Sequence, residues 1–404
     1  MKRLKKRLPR LTEGEKQLLP ADTLRQGVDG IIDTLRNSVF LLVALQYFQL
    51  SDRWNSLISI SLALGMLTGL FLTPFLEKRF SPRTILIVLS SLMAAGLLLP
   101  LVISGGEVYA LSVTGAVFMS SLRIPFQTGY YSECYRSDRM ARLMSLGTLS
   151  FILIATASSW IFGRLLDGNL ASYRLILLIS GLAVGINTVF LRRLPPGKEP
   201  VAKRQPFWKN LRLIWEEPRF GIASLSWMIM GFANLWSLPM RTVFLADPER
   251  GLGLEPLTVL LILGIIPGIV RLLSNFIWAH FYDKAPFVVV RIIMNTILGL
   301  GIFFFFVTTK LWIISFGAAL IHLSLGGAPF IWNLWVTRLA PPGETRRYMS
   351  VHTFLCGIRG VAGPPLAFLF IQNHEIQQVG MISAALAVVA VLTLIPLLSP
   401  KLRF

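Results

Sequence analysis

Glu77-Lys78-Arg79-Phe80-Ser81-Pro82-Arg83 is a short charged turn between two long apolar runs, and the chain carries a second copy of that arrangement. A shift of 204 residues brings Pro82 onto Pro286, beside Asp283 and Lys284, again between two long apolar runs. One shared proline carries little weight. The same shift of 204 superposes Asn37-Ser38-Val39-Phe40-Leu41 on Arg241-Thr242-Val243-Phe244-Leu245, and Pro125-Phe126 on Pro329-Phe330. A shift of 205 lays Arg142-Leu143-Met144-Ser145-Leu146-Gly147-Thr148 over Arg347-Tyr348-Met349-Ser350-Val351-His352-Thr353. Collinear matches at nearly one spacing mark a duplicated chain.

Composition says what was duplicated. With 54% hydrophobic and 15% charged residues and a mean hydropathy of +0.65, the chain holds more apolar side chain than a water-soluble domain can bury. Runs of roughly 20 apolar residues, enough to cross about 30 Å of hydrocarbon, recur along it. They fall roughly at 30–50, 56–76, 84–104, 108–130, 143–165, 173–191, 220–245, 257–281, 287–308, 311–337, 350–371 and 378–398. A lone strand would leave its backbone polar groups unpaired in lipid, so each run is read as a helix. The expected fold is an all-α membrane protein of twelve transmembrane helices in two pseudo-symmetric six-helix bundles. The expected divisions are a basic tail over 1–27, an N-terminal bundle over 28–191, a linker over 192–219 and a C-terminal bundle over 220–404.

The basic residues orient these spans. The segments assigned to the cytoplasm hold 29 Lys and Arg, whereas the opposite loops hold Arg53, Arg174, Arg250 and Lys310. That bias places both termini in the cytoplasm of a multi-pass protein of the cytoplasmic (inner) membrane. It also accounts for the net charge of +19, since the basic residues face anionic headgroups and no nucleic-acid partner is needed. Met1-Lys2-Arg3-Leu4-Lys5-Lys6-Arg7 reads as a topology anchor, too basic for a signal-peptide core. In the linker, Pro195-Pro196-Gly197 reads as flexible, and Phe207 to Trp215 alternates aromatic and basic residues as an interfacial helix would.

Charges inside the apolar runs are the informative exceptions. Asp29, Asp33 and Arg36 share one face of the first segment by their spacing. Asp33 and Arg36 are expected to neutralise one another, either as a structural pair or as a gate. In segment four, Arg123 and Gln127 flank Pro125, which loosens the backbone between them. A buried arginine cannot deprotonate, so Arg123 requires an acid, water, carbonyls or an anionic ligand. Glu133 is the acid nearest to it along the chain. Segment seven brings Asn234, Trp236 and Arg241, segment ten Trp332 and Asn333, and segments eight and eleven hide Arg271 and Arg359. Arg36, Arg123, Arg241, Arg271 and Arg359 lie within apolar runs while Asp33 is the acid clearly inside one. A bound anion could supply the missing charge.

Other chemistry is sparse. Cys134 and Cys356 offer no disulfide framework, and His280, His322, His352 and His374 have no metal-ligand spacing. No phosphate loop, nucleophile elbow or zinc-protease motif occurs, so neither an enzyme nor a cofactor is expected.

The span number, the 6+6 duplication, the inside termini, the long basic central loop and the charged turns after segments two and eight resemble the major facilitator superfamily. That family's turn signature is Gly-x-x-x-Asp-Arg-x-Gly-Arg-Arg. Here Lys78-Arg79-Phe80-Ser81-Pro82-Arg83 keeps its basic part, with Glu77 or Lys78 near the acid's place, and Ala279-His280-Phe281-Tyr282-Asp283-Lys284 keeps an acidic-basic pair. Arg123-x-x-x-Gln127-x-Gly129 is similar to the Arg-x-x-Gln-Gly of proton-coupled exporters but spaced differently, and the antiporters' Gly-Pro motif is missing from segment five. Gly363-Pro364-Pro365 stands in segment eleven instead. The resemblance implies a transporter with a cavity between segments one, four, seven and ten, rocking between inward-open and outward-open states.

Within it, a small organic solute, amphipathic or anionic, would be held by Arg123 with Arg241 or Arg359. Gln127, Asn234, Trp236, Trp332 and Asn333 would orient it. Asp33, Arg36, Arg79 and Asp283 become the proton-coupling or gating residues. The expected partners are the solute, protons and membrane lipids, and the expected state is a monomer. An exporter of lipophilic drugs and a non-transporting sensor or assembly factor on the same scaffold remain alternatives.

Overall fold

The computed structural model of the chain describes residues 12–127, 140–192, 210–327, 335–336, 339–341 and 344–399. In the first half lie α1 (Glu13–Thr34, continued by a π-helical turn Leu35–Val39 and by Phe40–Gln46), α2 (Asp52–Glu77) and α3 (Pro82–Val102). They are followed by α4 (Gly106–Leu122), α5 (Met140–Gly168) and α6 (Tyr173–Leu191). The second half has α7 (Pro218–Ala246), α8 (Pro256–Leu260, a π-helical turn Leu261–Ile265, then Ile266–Lys284) and α9 (Phe287–Phe306). It ends with α10 (Leu311–Leu325), α11 (Thr345–Phe370) and α12 (Ile376–Leu392). The described residues thus form the expected twelve helices, with no strand among them.

Ten of these are long and apolar enough to cross a membrane, and α10 is a shorter apolar helix. The exception is α1, diluted by Asp22, Arg25, Asp29, Asp33 and Arg36. Exposed Leu182, Ile186 and Val189 give α6 an apolar outer face, as a lipid-facing helix requires.

Local signals explain several boundaries. Although residues 1–27 read as a tail, the helix starts at Glu13. Thr12 and Glu15 close a capping box, the Thr12 hydroxyl accepting from the Glu15 amide at 3.2 Å and Glu15 accepting from the Thr12 amide at 2.8 Å. Ser81 caps α3 with Pro82 in the first helical position, and Pro286 stands at the N-cap of α9. The two prolines that revealed the duplication therefore start equivalent helices. Of the linker, residues 193–209 lie outside the described residues, and Leu213–Glu216 forms one short helical turn before α7.

Packing repeats between the halves. In the first, α1 packs on α5 and α6, α3 on α4 and α6, and α2 on α4; in the second, α7 packs on α11 and α12, α9 on α10 and α12, and α8 on α10. The seam obeys the same relation, because α2 packs on α11 as α5 does on α8. Exchanging the halves therefore leaves the pattern unchanged, as a pseudo-twofold requires. Small residues let the seam helices approach: a Cβ on Gly264 or Gly268 of α8 would collide with Ser159 or Thr156 of α5. The π turns of α1 and α8 meet at this seam. Each inserts an extra residue per turn locally and re-aims the side chains that follow.

A cluster of polar contacts across the seam lies on one side. Gln46 donates to the carbonyls of Ala246 at 2.8 Å and Leu254 at 3.0 Å. Arg250, between α7 and α8, donates to both carboxylate oxygens of Asp52 at 2.8 and 3.1 Å and pairs with Asp247 at 3.0 Å. The Leu257 amide donates to Asp167 at 3.5 Å. All these groups lie on the face that holds the α1–α2 and α7–α8 connections, here the Arg250 face.

Candidate functional site

The intramembrane charges sort into three groups. Inside the N-terminal bundle, Arg123 at the end of α4 is 1% exposed and donates to Asp29 of α1 at 2.7 Å and to Ser90 of α3 at 3.2 Å. Asp29 also accepts from Arg25, which in turn reaches Asp22 at 2.6 Å, and Asp22 accepts from Gln26 at 2.9 Å. Two guanidiniums and two carboxylates balance in this network. The charge of Arg123 is thus met by an acid three helices away in sequence, while Glu133, the acid nearest along the chain, lies outside the described residues.

The second group stands at the seam. Asp33 accepts a short hydrogen bond from Arg36 on its own helix and also faces Arg271 of α8 at 3.8 Å, an ion pair between the two bundles. Arg271 in addition lies over the ring of Phe151 on α5, 5.9 Å from its centroid. On α7, Arg241 is 2% exposed and donates to Asn234 at 2.7 Å and Ser237 at 3.0 Å, with no carboxylate partner among the described residues. The Nε of both Arg36 and Arg241 is buried without a hydrogen-bond partner. His322 on α10 donates its Nδ1–H to the Ala318 carbonyl, 3.0 Å away, and lies within electrostatic reach of both Arg271 and Arg241. Two guanidiniums, Arg36 and Arg271, therefore share the Asp33 carboxylate, and Arg241 on α7 has amide and hydroxyl partners in place of an acid.

Trp236 also lies on α7. One turn below Arg241, it packs against Phe232 and Phe370 at centroid distances of 5.5 and 5.6 Å. Its indole Nε1 is buried with no hydrogen-bond partner among the described residues.

The third group is in the C-terminal bundle. Arg359 of α11 lies against Gly231 of α7, donates to the Trp227 carbonyl and reaches Cys356 Sγ at 3.1 Å. Arg291 of α9 stacks on the Trp227 ring.

Of the remaining expected residues, Gln127 is half-buried one turn beyond Arg123. Arg79 is exposed in the α2–α3 turn and covers the ring of Phe75 at 4.8 Å. Trp332 and Asn333 lie outside the described residues, as does the side chain of Asp283, whose backbone is in the last turn of α8. The structure thus brings Arg241 and Asn234 together, and Asp33 with Arg36. Arg123 and Arg359 instead have their own partners, Asp29 and Ser90 for the first and the Trp227 carbonyl and Cys356 for the second. Sequence reasoning did not find the Asp33–Arg271 or Asp29–Arg123 pairs, since partners on different helices leave no mark in residue spacing.

Residues 29–364 match the sequence model of the Major Facilitator Superfamily, most of the chain. The chain belongs to the major facilitator superfamily. Membership carries the general role of a membrane transporter. Solved structures of the family superpose over nearly the full length. The nucleoside transporter NupG matches with a TM-score of 0.70 at 14% identity, over 96% of this chain and 100% of its own. A D-xylose-proton symporter matches at 0.73 and 14% identity, over 94% of this chain and 97% of its own. A POT family transporter solved with 5-aminolevulinic acid matches at 0.73 and 12% identity, over 97% of each chain. At such identities the likeness establishes the superfamily fold and not the solute. A comparison with curated protein sequences gives no match.

Proposed function

We propose that this protein is a proton-coupled secondary transporter of a small organic anion, or of an amphipathic solute with an anionic group, working by alternating access. One observation carries the choice of anion: Arg36 and Arg271 share the carboxylate of Asp33 where the bundles meet, while the buried Arg241 of α7 meets no carboxylate among the described residues. Arg241 is the anchoring cation in this reading, with Asn234 presenting it and Trp236 and Phe370 forming an apolar wall for the rest of the solute. Asp33 is the coupling residue. When ionised it holds Arg271 and Arg36; when protonated it releases both, so that the bundles separate and the guanidiniums turn to the solute.

The distribution of Lys and Arg supports cytoplasmic termini in an inner membrane. The Arg250 face would then be the outer one, closed by Arg250, Asp52 and Gln46, with exchange on the cytoplasmic side. Arg123 has the positioning role that its balanced network supports, keeping α1 against α3 and α4.

Reconstituted protein provides the test. Vesicles with an imposed pH gradient should take up or release labelled carboxylates or organic phosphates, and Arg241→Gln should abolish this while the protein remains folded. Transport of lipophilic cations with no movement of anions would overturn the reading and favour a drug exporter.

A further inference from the structure

The C-terminal bundle buries a second concentration of positive charge, built from α7, α9 and α11. One turn inside α9, Arg291 lays its guanidinium on the ring of Trp227, 3.5 Å from the centroid. From α11, Arg359 donates to the main-chain carbonyl of the same Trp227 and to Cys356 Sγ. Both arginines are almost sealed, at 7% and 5% exposure. Neither meets a carboxylate among the described residues, and the Nε of each is buried without a partner. Among the described residues, none of the nitrogens of Arg291 has a hydrogen-bond acceptor.

The walls around them are aromatic. Trp335 stacks between Phe220 and Phe287 at centroid distances of 5.6 and 6.0 Å, and His352 stands edge-on to Trp227 at 5.0 Å. A guanidinium cannot shed its proton in such a place. A ring face and a thiol are weak counterparts for two buried like charges, and each fork still offers donors. The N-terminal bundle shows what is missing, because there Arg123 and Arg25 are balanced by Asp29 and Asp22.

We infer that Arg291 and Arg359 form a second, anion-binding site that takes one phosphate-type oxyanion, as a free ion or as the headgroup of an anionic lipid. Planar forks match the oxygens of such a group in pairs, which a spherical halide cannot use as fully. Arg291 enters close to the end of the bundle where α1 and α9 begin, so the site lies within reach of either source. The inference stands on the packing of α7, α9 and α11 and is independent of the transport reading.

The experiment follows thermal unfolding of the purified full-length protein in neutral detergent by tryptophan fluorescence. One arm compares sodium phosphate with sodium chloride at equal ionic strength; the other compares micelles containing phosphatidylglycerol with micelles containing phosphatidylcholine. A rise in Tm is expected with phosphate or with phosphatidylglycerol, and the arm that responds identifies the source. Arg291→Gln should lose that rise, whereas Arg241→Gln should keep it. Cys356→Asp covers the case in which Arg291→Gln does not fold. It places a carboxylate beside Arg359, and is expected to raise Tm without added anion and to remove the response to one. The inference is overturned by a wild-type protein indifferent in both arms, by an Arg291→Gln protein that responds as wild type does, or by a Cys356→Asp protein that still needs the anion.

Discussion

Arg123 and Arg241 are both almost wholly buried, at 1% and 2% exposure, yet they meet different surroundings. Arg123 has Asp29 at 2.7 Å; among the described residues Arg241 has the amide oxygen of Asn234 and the hydroxyl of Ser237. Removing one partner of a buried ion pair leaves an uncompensated charge, typically a loss of about 3–5 kcal/mol. Arg123→Gln is therefore expected to lower thermal stability markedly, and the double change Asp29→Asn with Arg123→Gln to recover part of it, as melting curves would show. Arg241→Gln removes a cation that has no counter-ion. Its expected effect is loss of solute binding with little loss of Tm. Asp33→Asn should behave differently again: solute-for-solute exchange persists, while accumulation driven by a pH gradient disappears. Unimpaired pH-driven accumulation by Asp33→Asn would remove Asp33 from the coupling step. The residue types behind these predictions were visible in the chain, since arginines inside apolar runs stand out. Their partners were not. Asp29 and Asp33 share one face of α1 by spacing, but they turn to Arg123 on α4 and Arg271 on α8, which only packing could decide.

Among the elements, α5 and α8 are the pair whose contact distinguishes a seam from an ordinary packing contact. Gly264 and Gly268 lie one turn apart on α8 and meet Ser159 and Thr156, so their backbones come as close as small side chains allow. Gly268→Val is expected to hold the two helices apart. Cysteines placed on the Arg250 face should then label faster than in the unmodified protein, and transport should fall. Helix existence was legible from the length of each apolar run, and helix starts from Ser81-Pro82 and Pro286. The π turns Leu35–Val39 and Leu261–Ile265 were not legible. One extra residue in a turn leaves the apolar composition unchanged while rotating everything after it, and a hydropathy pattern records composition only.

At the level of the whole molecule, a cluster of polar contacts between the bundles closes one face. Arg250 is the keystone of that face. Burial lowers its pKa, but the hydrogen bonds and charges of Asp52 and Asp247 outweigh burial and hold the guanidinium's pKa above its ordinary value. These groups remain partly exposed, so the pair is weaker than a buried one, contributing at most about 1 kcal/mol. In an equilibrium between two open states, that corresponds to roughly a fivefold change. Asp52→Asn is accordingly expected to raise the labelling rate of a cysteine near Gln46 by roughly that factor, measured with a membrane-impermeant thiol reagent.

The chain alone determined that this is a duplicated membrane protein of twelve helices, because hydrocarbon imposes a length and a composition on every span and duplication leaves a constant offset. Those constraints act along the chain and can be read along it. The tertiary structure alone decided which charges cancel and which stay in excess. Counter-charges are chosen by distance in space, and the helices that bring Asp29 to Arg123, Asp33 to Arg271 and Arg291 to Arg359 are far apart in sequence.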